Sequence, residues 1–291
     1  LKIPLIKDLD VVVELIGGSD GIAKKLVYSA LKNKKHVITA NKALMAKYGD
    51  KLAAIAEKNK VNLEYEASVA GGIPIIRAIK EGLITNKINK IYGILNGTCN
   101  YILTKMETEG KDFNSVLKDA QNLGFAELDP SFDIKGIDAA HKITLLSSLA
   151  FNVPVNFSST YIEGIQNIEI DDFNLVREFG YKIKLLGIAK KKGNFYEQRV
   201  HPCLIKSESE IAKVDNELNA VVIEDNVIGK TTLIGPGAGA NPTGAAVSAD
   251  LIDYSRKNFN FPLGMPINVV QKLKNLKISE LNFSYYLRII G

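Results

Sequence analysis

At 291 residues and 46% hydrophobic content, the chain is long enough to bury a sizeable core, and at ~100–200 residues per domain it suggests two domains. Its net charge of +5 comes from 37 basic and 32 acidic side chains spread along the whole length, and the tight basic runs, Lys34-Lys35 with Lys32 nearby and Lys190-Lys191-Lys192, read as solvated faces rather than a nucleic-acid footprint. Two cysteines, Cys99 and Cys203, and three scattered histidines give neither a disulfide framework nor metal-ligand spacing, which fits a reducing cytoplasm, and neither a membrane span nor a secretory signal is visible.

The chain opens on Leu1 rather than Met and runs directly into a strand-like segment, so it reads as a fragment. Asp10-Val-Val-Val-Glu-Leu-Ile-Gly-Gly is an apolar run closed by glycines, the pattern of a strand buried on both faces of a parallel sheet. A helix over 19–33, a strand over 36–40, a helix over 43–58 and a strand over 61–66 follow, and this alternation predicts a βαβ sheet. Ligands of such sheets sit beyond the carboxyl ends of the strands, where this chain has Gly17-Gly18, Thr39-Ala-Asn-Lys42 and Ala67-Ser-Val-Ala-Gly-Gly. Lys42 is thereby placed on the ligand side. From residue 73 the rhythm becomes α+β: a strand over 87–95, helices from Thr98 (a plausible N-cap) and Phe113, and a helix after Pro130. Strands over 181–189, 196–205 and 220–224 come next, with Lys190-Lys191-Lys192 leading into a Gly193-Asn194 hairpin turn. Gly235-Pro-Gly-Ala-Gly-Ala-Asn-Pro-Thr-Gly then reads as a turn into a helix over 245–257, and no internal repeat is present.

The segment 124–142 holds four acids, Glu127, Asp129, Asp133 and Asp138, at the mouth of an apolar helix. Apolar residues there recur at helical spacing, so Asp138 and Lys142 share a face four residues apart. A carboxylate that orients an amine against an apolar wall holds a lysine in proton-transfer range, and burial lowers its pKa toward neutrality; an exposed surface salt bridge is the alternative reading. Three glycine-rich segments stand at strand ends, each able to bring backbone N–H groups to a phosphate or a nicotinamide, yet none has the Gly-x-Gly-x-x-Gly spacing. That fingerprint is expected on a strand before Leu1. Glu66, with the turn at 69–73, offers one carboxylate and several carbonyls to a hard cation such as sodium.

Five segments in series resemble homoserine dehydrogenase: Val12-Val-Glu-Leu-Ile-Gly-Gly, Thr39-Ala-Asn-Lys-Ala-Leu, Glu66-Ala-Ser-Val-Ala-Gly-Gly-Ile-Pro-Ile-Ile, Leu95-Asn-Gly-Thr-Cys-Asn-Tyr-Ile-Leu, and Glu127-x-Asp-Pro with Asp133, Asp138 and Lys142. The resemblance implies an α/β fold, a partial Rossmann-type parallel sheet with a second α+β catalytic and dimerisation domain. Residues 1–66 would be the C-terminal half of the NAD(P)-binding domain, 67–238 the catalytic domain, 239–260 a helix returning to the nucleotide domain, and 261–291 a linker and truncated segment. It also implies NAD(P)-dependent interconversion of L-homoserine and L-aspartate 4-semialdehyde, on the route to threonine, methionine and isoleucine, in a cytoplasmic homodimer or homotetramer. By the same resemblance Lys142 is the general acid/base, Asp138 lies beside the reacting hydroxyl, and Lys42 stands close to nicotinamide and substrate. Glu127 and Asp133 belong with Asp138 to the substrate-binding cluster, and Gly17, Gly18, Gly235 and Gly237 with Lys42 to the cofactor side. Glu66, Val69, Gly71 and Ile73 match the sodium-binding turn.

Two departures accompany the resemblance. The opening strand and its glycine loop are absent, and with them the residues that choose NAD or NADP; Ser284-Tyr-Tyr-Leu-Arg-Ile-Ile-Gly is similar to the first strand of a regulatory ACT domain. Alternatives are a truncated, inactive dimerising protein and a dehydrogenase of another amino aldehyde.

Overall fold

A computed structural model describes residues 2–289. The chain begins as alternating strands and helices: β1 (Val11–Glu14), α1 (Ile22–Lys32), β2 (His36–Thr39), α2 (Lys42–Asn59) and β3 (Leu63–Glu64). The three strands pair in parallel in the order β1-β2-β3, with Val12 opposite Val37 and Ile38 opposite Glu64. Leu26, Val27, Ala30 and Leu31 recur at helical spacing and form the buried stripe of α1. α2 is capped by Asn41, whose side chain accepts the Leu44 N–H at 3.0 Å. The strand expected over 61–66 is confined to two residues. Beyond it the chain coils into a 3-10 turn (Glu66–Ser68), because the Glu66 carboxylate folds forward to accept the Ile76 and Arg77 N–H groups.

A short helix α3 (Ile75–Arg77) leads into β4 (Ile88–Ile94), α4 (Gly97–Glu109) and α5 (Phe113–Asn122). The N-cap of α4 is Asn96 rather than Thr98: its Oδ1 accepts the Cys99 N–H at 2.8 Å, while the Thr98 hydroxyl donates to Phe125 O. The single helix expected after Pro130 is two, α6 (Ser131–Ile134) and α7 (Ile137–Phe151), because Gly136 turns the chain through φ +80° between them. A connecting stretch carrying β5 (Tyr161–Ile162) leads from α7 to α8 (Ile170–Glu178).

β6 (Tyr181–Lys192) and β7 (Phe195–Lys206) form a long hairpin around Gly193-Asn194, so the three lysines lie in the strand and the turn follows them. β8 (Leu218–Asp225) pairs with β9 (Lys230–Pro236), a strand the sequence reading missed; α9 (Ala240–Ser255) starts five residues earlier than expected, and β10 (Lys274–Asn275) lies in the tail. The second sheet runs β10-β7-β6-β4-β8-β9, with β5 beside β7. α7 packs on one face through Ala139, Ile143 and Leu146, and the shared core continues beneath the first sheet. α9 returns to that first sheet, where the Tyr254 ring lies 4.6 Å from that of His36 and Asn62 Nδ2 donates to Asn258 O at 2.6 Å. The tail has no regular structure over 281–289; in the strand expected at 284–291, Ile290 and Gly291 lie outside the described residues.

Candidate active site

The acids and lysines meet where α2, α4 and α7 point toward the carboxyl end of the parallel sheet. Asp138 and Lys142 lie one turn apart on α7, which places Lys142 Nζ 2.8 Å from Asp138 Oδ2. Lys142 also donates to Leu95 O at 2.6 Å, at the end of β4. Two of its three ammonium donors are thereby held, which leaves one for the cleft that it lines. Lys42 opens α2, and its Nζ lies 3.1 Å from Asp138 Oδ1. One carboxylate therefore bridges two lysines that are 100 positions apart in the chain.

Asp138 is 4% exposed and Lys142 6%, so this is not the exposed salt bridge of the alternative reading. Burial opposes ionisation of Asp138, but Lys142 and Lys42 outweigh it and hold the carboxyl well below the usual carboxylate range. Asp138 in turn raises the pKa of Lys42. Asn96 completes the frame by donating from Nδ2 to Asp133 Oδ1 and to Asp138 Oδ2, both at 2.8 Å. Burial and the neighbouring Asp138 charge push the Asp133 carboxyl upward. His141 lies between the rings of Phe132 and Phe157, and burial lowers its pKa to about 4. Cys99 is fully buried and its thiol is pushed well up, so it is no nucleophile at neutral pH.

Lys42, Asn96, Asp133, Asp138 and Lys142 face a cleft of about 500 Å³. Of the residues singled out from the sequence, Lys42, Asp133, Asp138, Lys142 and Gly237 line it; Glu127, Gly17, Gly18 and Gly235 do not. Glu127 stands on an exposed segment after α5, near enough for its charge to raise Lys42, with the Gln121 amide donating to its carbonyl at 3.0 Å. Gly17 and Gly18 form the left-handed turn beyond β1. The buried Glu14 carboxylate fixes that turn, accepting the Ile16 and Gly17 N–H groups and the Thr39 hydroxyl. Gly235 lies in strand β9 rather than in a loop, and it packs on Ile73. The Gly237 and Gly239 backbone lines the cleft instead, wedged against the turn at 70–72 by a bond from Gly72 N to Pro236 O at 2.9 Å. Asn96, Gly124, Glu217 and Thr243 also line it and were missed. Only Asn96 had a sequence signal, as an Asn before a helix.

The turn after Glu66 suits an oxygen-ligated cation in part. Both Glu66 oxygens already accept an N–H, from Ile76 and Arg77, and Ile73 O accepts from Ile75 N. The Val69 and Gly71 carbonyls accept no hydrogen bond among the described residues, which leaves them as available donors. Among the described residues no cluster of three His, Cys, Asp or Glu side chains gathers at a metal-binding distance, and no helix is long and apolar enough to cross a membrane.

Comparison with known proteins shows the family. The family model for homoserine dehydrogenase matches residues 74–252, and that for the homoserine dehydrogenase NAD-binding domain matches residues 3–66. Homoserine dehydrogenase of Neisseria gonorrhoeae is 50% identical over 97% of this chain, which covers 66% of that protein; the Helicobacter pylori enzyme is 46% identical over 98%, again covering 66% of it. The crystal structure of a homoserine dehydrogenase from Thiobacillus denitrificans superposes with a TM-score of 0.88 at 48% identity, covering 92% of this chain and 63% of that one. A hyperthermophilic archaeal homoserine dehydrogenase in complex with NADPH gives 0.73 at 29% identity, over 85% and 73%. The chain thus spans just under two thirds of the length of the curated relatives it matches, and it belongs to the homoserine dehydrogenase family.

Proposed function

We propose that the protein interconverts L-homoserine and L-aspartate 4-semialdehyde with NAD(P), and that this chain carries the acid–base half of the reaction. The supporting observation is the buried Lys142–Asp138–Lys42 arrangement at the cleft. In the reducing direction the aldehyde oxygen gains negative charge, and the Lys142 ammonium gives it a proton; in the oxidising direction neutral Lys142 takes that proton from the hydroxyl. Asp138 holds the amine in line, and the fixed Lys42 cation stabilises the developing charge. The first turn of α4, at Gly97 and Thr98, offers backbone N–H groups to the substrate carboxylate. Glu127 supplies a charge-assisted partner for the ammonium, from its exposed segment, with Asp133 in the same cluster.

The residues fit a nicotinamide group on the cofactor side. Lys42, the Ala40 carboxyl-end turn and the close-packed backbone at Gly237 and Gly239 line one wall, and the turn at Gly17-Gly18 continues the sheet edge. The group, when bound, accepts or returns the hydride. In the same reading Glu66, Val69, Gly71 and Ile73 hold a sodium ion that stiffens the turn against this wall. Residues 1–66 with the helix at 239–260 form the nucleotide-binding part, 67–238 form the catalytic and dimerisation part, and the protein works as a cytoplasmic homodimer or homotetramer.

The test is a homoserine oxidation assay at alkaline pH on the whole protein, following nicotinamide absorbance with NAD and NADP separately. Reduction of either cofactor supports the reading. Reduction with another amino alcohol and not with homoserine would replace it.

A further inference from the structure

Asn219 is wholly buried in β8, yet neither its Nδ2 nor its Oδ1 has a hydrogen-bond partner. A buried carboxamide without partners is costly and calls for an explanation. Its position supplies one. β4 and β8 pair in register up to Ile94 and Ala220, so Asn219 stands one step further, beside Leu95, the residue whose carbonyl holds the Lys142 ammonium. On its other side the amide lies against Gly237, where any Cβ would overlap it. Gly237, Ala238 and Gly239 line the same cleft as Lys142, and the loop is pressed against Gly71, whose Cβ would come within 2.8 Å of Gly237 O. One unsatisfied side chain thus lies against the loop that forms the cofactor wall, on a residue that stands in register beside the strand end that fixes the amine.

We infer that Asn219 is a positioning residue: its carboxamide bonds the backbone of the loop at 237–239 when a dinucleotide draws that loop inward, and so links occupancy of the cofactor wall to the strand end that holds Lys142. The inference rests on the cleft being the dinucleotide and substrate site. An amide that gains partners in one loop position favours that position, and a dinucleotide contacting the loop there would shift the balance toward it. Glycine at 237 follows from the same contact, since the amide occupies the space that a side chain would need.

The experiment uses the whole protein and the change Asn219→Leu, which keeps the branched shape and heavy-atom count and removes both polar atoms. NADH and NADPH binding is read by nicotinamide fluorescence without substrate, and thermal unfolding is read without either. Expected are a thermal midpoint equal to or above wild type, dinucleotide affinity weakened at least about tenfold, and a homoserine Michaelis constant that changes much less. Unchanged affinity would overturn the inference. Should the variant fold poorly, amide hydrogen exchange on the wild type decides: slower exchange at 237–239 on adding the dinucleotide is the predicted result, and unaltered exchange contradicts it. A wild-type protein that binds neither dinucleotide would instead refute the function proposed above, so the two failures are distinguishable.

Discussion

Asp138 carries more of the site than its single charge suggests, because each of its oxygens faces a different lysine. Removing one member of a buried ionic set leaves the others uncompensated, so Asp138→Ala is predicted to cost about 3–5 kcal/mol in urea unfolding. A loss under about 1 kcal/mol, the scale of a solvated surface pair, would show that water already compensates the lysines. Glu127→Ala belongs to a different class, since Glu127 is exposed and stands outside the cleft lining. It is predicted to raise the Michaelis constant for homoserine more than that for the cofactor, and an equal rise in both would mark a structural role. At this scale the Asp138–Lys142 pair was legible because both residues ride one helix, where spacing alone sets the contact. The motifs also marked Lys42. Its meeting with Asp138, and the Asn96 clamp, arise from the packing of separate elements, which no local period encodes.

Each element places its part of the site through a terminus. α2 and α4 begin at the cleft under the Asn41 and Asn96 caps, and α7 begins at Gly136, one residue before its helical stretch and two before Asp138. Gly136 has φ +80°, and a Cβ there would meet Val200 Cγ1 at 3.2 Å. Left-handed backbone costs other residues about 1–2 kcal/mol, so Gly136→Ala should lower stability by at least that amount and reduce turnover by tilting Asp138; a wild-type unfolding curve would refute the constraint. Helices and long strands were legible from their apolar periods. β9 escaped notice because Lys-Thr-Thr-Leu-Ile-Gly-Pro opens on three polar residues and ends in two that usually break strands. The start of α9 was hidden by Asn-Pro-Thr-Gly, in which the proline sits within the first turn, a position a helix tolerates. The break at Gly136 was missed because apolar spacing runs on across it.

Across the whole molecule the two sheets are joined where α9 returns, and charge is concentrated at that junction. Asp250 of α9 receives the Glu66 N–H and lies 3.2 Å from Arg77. Burial, with the nearby charges of Glu64 and Glu66, raises its pKa to about 7; Arg77 offsets this only in part, because it is shared with Asp253 at 2.6 Å. A carboxyl with a raised folded-state pKa binds its proton more tightly folded than unfolded. Its stabilisation is therefore complete below the ordinary value of 3.8 and is lost as pH rises through about 7. The thermal midpoint of the wild type relative to that of Asp250→Asn is predicted to fall across that window. Parallel curves for the two proteins would assign the pH dependence elsewhere.

Whether Lys142 moves the proton is read from the turnover of Lys142→Ala in homoserine oxidation beside its dinucleotide affinity. Turnover is predicted to fall by about 10² to 10⁴ with affinity nearly unchanged. Turnover at the wild-type level would contradict it.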